Sequence, residues 1–135
     1  FLQIVLGAFV SGLDAGKVHQ TWPLMNYSYF PNDVSIDTIK DFFNFNDHSL
    51  IQFYHRNIAY LIAIYILIIG FFILKNNMKK LIKPFYFLFI FLFLQIFLGI
   101  MTLISGLNIY LALAHQICSL ILMLSAINLY YYHIN

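Results

Sequence analysis

Apolar residues fill three stretches of the chain almost without interruption, at positions 50–74, 81–104 and 109–132. At about 1.5 Å per residue each can cross a hydrocarbon core of about 30 Å, so each is predicted to be a transmembrane helix. A fourth apolar stretch, 1–10, has half the needed length, and the sequence begins at Phe1 rather than at a methionine. It is expected to be the end of a cut helix, because it has neither the basic n-region nor the small-residue cleavage pattern of a signal peptide. The 135 residues are accordingly expected to be part of a longer membrane protein.

The polar residues gather between these stretches. Positions 11–49 hold all five acidic residues and two of the three prolines, which reads as an aqueous loop. Inside it, Ile36, Ile39, Phe42 and Phe43 follow a possible Ser35 cap at nearly helical spacing, predicting a short amphipathic helix over 35–45 on the membrane surface. Lys75, Lys79, Lys80 and Lys83 crowd the connection between the next two spans. By the positive-inside rule that connection faces the cytoplasm or matrix, with the 11–49 loop and the 105–108 turn on the other side. The bacterial cytoplasmic membrane or the mitochondrial inner membrane fits this orientation.

Composition narrows the class. With 62% hydrophobic and only 9% charged residues, the chain has too little polar surface for a water-facing globule. A soluble enzyme, a nucleic-acid binder and a disulfide scaffold are excluded, the last because Cys118 is the single cysteine. The net charge of +2 is too small to imply a polyanionic partner.

An internal repeat supplies the architecture. Gln3 to Gly7 followed by Ser11-Gly12-Leu13 recurs as Gln95 to Gly99 followed by Ser105-Gly106-Leu107, and after each an outer connection leads into a span with a histidine near its start. Two such hairpins in one orientation predict an all-α, antiparallel transmembrane four-helix bundle, spanning residues 1–135, with three complete spans and a truncated first one. Small residues of the repeat, including Gly7, Ala8, Gly99 and Thr102, let neighbouring backbones approach.

Position sorts the five histidines. His19, His48 and His133 lie in the loop or at a span end, where an exposed imidazole needs no special explanation. His55 and His115 lie about 8–9 Å inside the outer ends of two parallel spans, at one depth. Ionisable groups inside a membrane are costly and face the bundle interior with a partner. Zinc would want three or four protein ligands, and only Cys118 stands near. Proton relays use intramembrane acids, and none is present. A haem iron needs two axial ligands, which facing imidazoles supply without net charge. Ala59, Ala63, Ala112 and Ser119 leave room beside them. Arg56 at the aqueous boundary could pair with a propionate, with Gln52 and Gln116 as further donors. Snorkelling to lipid headgroups for Arg56, and two unrelated packed histidines in a transporter or structural bundle, are the competing readings.

The residues Gly7-Ala-Phe-Val-Ser-Gly-Leu-Asp-Ala-Gly16, Thr21-Trp-Pro-Leu-Met25, Gln52-Phe-Tyr-His-Arg56 with Ala59-Tyr60, Gln95 to Leu103 and Leu111-Ala-Leu-Ala-His-Gln116 together resemble the C-terminal half of the haem A synthase family. The resemblance covers nearly the whole chain, in order and spacing. His19-Gln20 stand where the family often has an Asn before Thr-Trp-Pro, and the loop lacks the cysteine pair of some members. It implies spans five to eight of an eight-span protein of cytochrome oxidase assembly, one that oxidises a methyl group of haem O to the formyl of haem A. It further implies a b-type haem on His55 and His115, with the haem O pocket in the other half and the chain alone inactive. Beyond lipid and haem, the candidate partners are an electron donor, haem O synthase and a second copy of the chain. A non-catalytic bis-histidine cytochrome b carrying electrons is the alternative.

Overall fold

A computed structural model describes all 135 residues as four α-helices and no strands: α1 (Leu2–Gly12), α2 (His48–Lys75), α3 (Lys79–Ile104) and α4 (Ile109–Ile134). Helices α2, α3 and α4 are each long and apolar enough to cross a membrane, whereas α1 has 11 residues. Of the 135 residues only 21 are buried, so most large apolar side chains point outward. Such a surface is untenable in water and is solvated by lipid tails. The expected four-helix membrane bundle is the observed one.

Local signals set the helix ends. Asp47 caps α2 by accepting from the Leu50 amide at 2.9 Å, and Asn108 caps α4 by accepting from the Tyr110 and Leu111 amides at 3.0 and 3.4 Å. Helix α2 stops where Asn77 turns left-handed (φ 49°), with the Met78 and Asn77 amides returning to the Ile73 and Leu74 carbonyls. The same device closes α3 at Gly106 (φ 71°), with the Leu107 and Gly106 amides on Thr102 and Leu103. A left-handed residue after the last turn satisfies carbonyls that would otherwise be orphaned in a hydrocarbon environment.

The helices pack as two hairpins, α1 with α2 and α3 with α4, and α2 joins them through α3. That junction lies toward the lysine-rich end, where Ile66 and Ile73 of α2 meet Leu81, Phe85, Leu88 and Leu92 of α3 and Leu129 of α4. Gly70 permits it: a Cβ there would stand 2.1 Å from the Phe85 ring. At the opposite end Gly16, in a 3-10 turn over Ala15–Lys17, lies against Leu107 of the α3–α4 turn. The level of His55 and His115 falls between these two closures.

The amphipathic helix expected over 35–45 is a single 3-10 turn, Asp41–Phe43. The Asp41 carboxylate accepts from the Asp37 and Thr38 amides and the Thr38 hydroxyl, which starts the turn at Thr38 rather than at Ser35. Hydrogen bonds from the Thr38 amide and hydroxyl hold this exposed carboxyl below the ordinary carboxylate value.

Candidate functional site: two imidazoles in a repeated cradle

His55 stands seven residues into α2 and His115 six into α4. That places them about 10 and 9 Å along their helices from the loop end. Both are half-buried. Each ring rests against a glycine of the preceding helix. A Cβ on Gly7 would lie 3.2 Å from His55 Cε1, and one on Gly99 only 2.9 Å from His115 Cε1. A side chain at position 99 would force the His115 ring to shift, and one at position 7 would require the His55 ring to give by a few tenths of an ångström.

A glutamine one turn before each glycine completes the cradle. Gln95 meets His115 twice: its carbonyl oxygen is 3.1 Å from Nδ1 and its side-chain nitrogen 3.3 Å from Nε2. A carbonyl can only accept, so the proton sits on Nδ1 and Nε2 keeps its lone pair. Gln3 meets His55 through its side chain alone, donating to the His55 carbonyl at 3.0 Å with the same nitrogen 3.2 Å from Nδ1 and 3.4 Å from Nε2. The side-chain oxygens of both glutamines are buried without a partner. Neither was assigned to the site from the residue pattern. The signal was present, since both open the repeated Gln-x-x-x-Gly unit.

The other expected site residues divide. Arg56 donates to two loop carbonyls, His19 at 3.0 Å and Leu24 at 3.3 Å. Gln52 is buried and donates to the same His19 carbonyl at 2.9 Å, so it faces the loop rather than the imidazoles. Gln116 is exposed and its side chain joins no hydrogen bond, because adjacent helical residues point about 100° apart and His115 takes the inward direction. Cys118 is buried and makes a long contact with the Phe91 carbonyl, and no three His, Cys or acidic side chains converge anywhere.

His19 is a further correction. Expected as an ordinary loop histidine, it is 4% exposed, with Nε2 3.1 Å from the Ser49 hydroxyl and 3.2 Å from the Asp33 carboxylate. Ser49 also donates to Asp33 at 2.5 Å. His19 thus ties the loop to α2 with its ring on Ser49 and its carbonyl on Gln52 and Arg56. Trp22 with Tyr60, Tyr29 with Asn57 and Phe42 with Tyr54 add further ties, all to the first turns of α2. The loop lies along the helix that carries His55 and covers its N-terminal part.

The profile of a family described as cytochrome oxidase assembly protein matches residues 1–127. A protein of Pelagibacter ubique named heme A synthase is 45% identical over 124 residues, 92% of this chain and 36% of its own length. One of the same name from Rickettsia massiliae is 39% identical over 123 residues, 91% of this chain and 36% of its own. The chain therefore spans about a third of the length of these relatives. No solved structure matches it. With a profile match over nearly all of its residues, the chain belongs to the cytochrome oxidase assembly protein family.

Proposed function

We propose that this chain is the haem b-holding part of a membrane oxidoreductase of haem A biosynthesis, the enzyme that oxidises a methyl group of haem O to the formyl group of haem A. His55 and His115 are its axial ligands. The observation that carries the reading is the pair of imidazoles at one depth on α2 and α4, each in a Gln-and-Gly cradle built by the preceding helix. The residues fit such a group: a lone pair on His115 Nε2, small neighbours at Ala59, Ala63, Ala112 and Ser119, and no intramembrane acid to compete. The relatives named heme A synthase support the pathway.

In this reading the bound haem supplies one-electron chemistry, and the protein supplies ligation, burial and orientation. The loop over α2 limits water at the outer face. Arg56 keeps a positive charge at the aqueous boundary, where a propionate carboxylate would stand, while its loop hydrogen bonds fix the guanidinium. The haem O pocket is assigned to residues outside this chain, and the chain alone is expected to be inactive.

The test uses the complete gene product, purified with haem. A low-spin bis-histidine spectrum that disappears in both His55→Ala and His115→Ala supports the ligand assignment, and a spectrum unchanged in either overturns it. Haem A formation in cells lacking their own synthase separates this reading from an electron-carrying cytochrome b, which would show the spectrum and make no haem A.

A further inference from the structure

We infer that Gln3 and Gln95 are positioning residues for the two axial imidazoles and that they act unequally: His55 is oriented by the Gln3 side chain, His115 chiefly by the main-chain carbonyl of residue 95. The inference rests on the ligand reading above and adds what holds each ligand.

The two glutamines occupy the same place in the repeat, four residues before the glycine that touches the ring. In hydrocarbon an imidazole N–H or lone pair without a partner is costly, and an imidazole free to turn about its side-chain bonds presents no fixed ligand direction. His115 meets this requirement through a group that no side-chain substitution removes, the carbonyl 3.1 Å from Nδ1. That contact fixes both tautomer and ring plane and leaves the lone pair on Nε2, the nitrogen an iron would take, so the Gln95 amide 3.3 Å from Nε2 loses its acceptor once the ligand is bound. No main-chain group reaches the His55 ring. Gln3 spans it instead, with its amide nitrogen on the His55 carbonyl at 3.0 Å and 3.2 and 3.4 Å from the two ring nitrogens, which holds the unligated ring. Once iron takes the lone pair, the remaining ring N–H needs an acceptor, and the Gln3 side-chain oxygen, buried without a partner, supplies it when the amide turns over. Remove the Gln3 amide and nothing polar constrains that ring. Remove the Gln95 amide and the carbonyl still does.

Methionine is the probe substitution, because it keeps the length of glutamine and removes the amide. In the complete gene product, Gln3→Met and Gln95→Met are compared with the parent for haem retained through purification, the low-spin electron paramagnetic resonance signal and the midpoint potential. Loss of a partner that orients a metal ligand commonly costs about 10- to 100-fold in affinity. Gln3→Met is expected to weaken haem binding about tenfold, shift the low-spin signal and move the potential, with Gln95→Met within about twofold of the parent. If Gln3→Met merely lowers the amount of folded protein, the haem it retains gives the parent's signal and potential, and the inference is overturned. Equal or larger changes in Gln95→Met overturn it as well. Parent spectra in His55→Ala or His115→Ala would instead sink the ligand reading, whereas losses there with an unaltered Gln3→Met sink only this inference.

Discussion

The two hairpins share one register and differ in what joins their helices. Between α1 and α2 run 35 residues, 13–47, and between α3 and α4 only four, 105–108. A four-residue turn holds α3 and α4 side by side from their shared end, and the backbones come close: a Cβ on Gly99 would be 2.9 Å from the facing imidazole, and the Gln95 carbonyl reaches that ring. With the long loop the same seat is slightly wider, 3.2 Å at Gly7, and a side chain must bridge the remainder. The loop compensates elsewhere, by fastening itself to α2 through His19, Trp22, Tyr29 and Phe42. One hairpin is shaped by backbone proximity, the other by side-chain hydrogen bonds. Substitutions of the same kind should therefore have unequal effects in the two.

The largest effect is expected where the hairpins join. Gly70→Ala would place a methyl 2.1 Å from the Phe85 ring, far inside contact distance of a group packed on both sides by Leu81, Leu88 and Ile73. Overpacking a core costs roughly 1–3 kcal/mol, and this clash belongs at the upper end, beyond the gain of about 1 kcal/mol from replacing a helical glycine. Thermal unfolding of the detergent-solubilised protein should show a clear drop in midpoint. An unchanged midpoint would mean that the hairpins do not meet through this contact.

Next come the two glycines of the cradles. Gly99→Ala meets a ring that the Gln95 carbonyl prevents from yielding, whereas Gly7→Ala meets one held only by a flexible side chain. We expect a cost of about 1–2 kcal/mol in haem binding for Gly99→Ala and clearly less for Gly7→Ala. Haem content at limiting haem measures both. Equal losses would erase the distinction between a backbone-held and a side-chain-held imidazole.

This difference bears on how much was legible in the sequence. The three spans, the two-hairpin bundle and the common depth of His55 and His115 follow from apolar run lengths and from the repeat, which are properties local to each segment. The capping residues Asp47 and Asn108 act on their own helices and belong to the same legible class. Burial of His19 depends on Ser49 and Asp33, 30 and 14 positions away, brought to it by a loop whose path no periodicity encodes. The amphipathic helix expected over 35–45 had the right apolar spacing, but Asp41 starts the turn at Thr38, three residues past the expected Ser35 cap, and only Asp41–Phe43 forms a 3-10 turn. Gln116, next to His115 in sequence, points about 100° away from it on α4 and is exposed. Gln3 and Gln95 were visible as repeated letters, and only the packing of consecutive helices gives them a role.

A smaller effect tests the clamp between loop and helix. Arg56→Leu removes the donors to the Leu24 and His19 carbonyls, while Gln52 still serves the latter. One of these contacts is exposed and the other only part-buried, so solvent screening keeps the loss to about 1 kcal/mol or less, below that of Gly99→Ala. The expected result is faster proteolysis within residues 20–45 together with reduced haem retention. Lysine should not restore either, since a single ammonium cannot span two carbonyls as the guanidinium does. Unchanged cleavage and haem content would reduce Arg56 to an interfacial anchor.

The smallest effect concerns the far end of the same fastening. Burial acts to raise the Asp33 carboxyl, but hydrogen bonds from Ser49 and its own backbone, with the charge and hydrogen bond of His19, outweigh it and leave the group below its ordinary value of 3.8. A carboxyl depressed in the folded state stabilises it fully above the unfolded value, and that contribution is lost as pH falls through the folded one. The loop should thus hold from neutral pH down to about 4 and loosen below it. Because the Asp33 side chain is 52% exposed, solvent screening keeps the change small. Trp22, the single tryptophan, donates to Tyr60 from within this loop, so its emission reports the loosening. Asp33→Asn should abolish the acid step while leaving the haem spectrum intact. If the step survives in that variant, the fastening is governed by a group other than Asp33, and the α1–α2 hairpin is held by its aromatic ties alone.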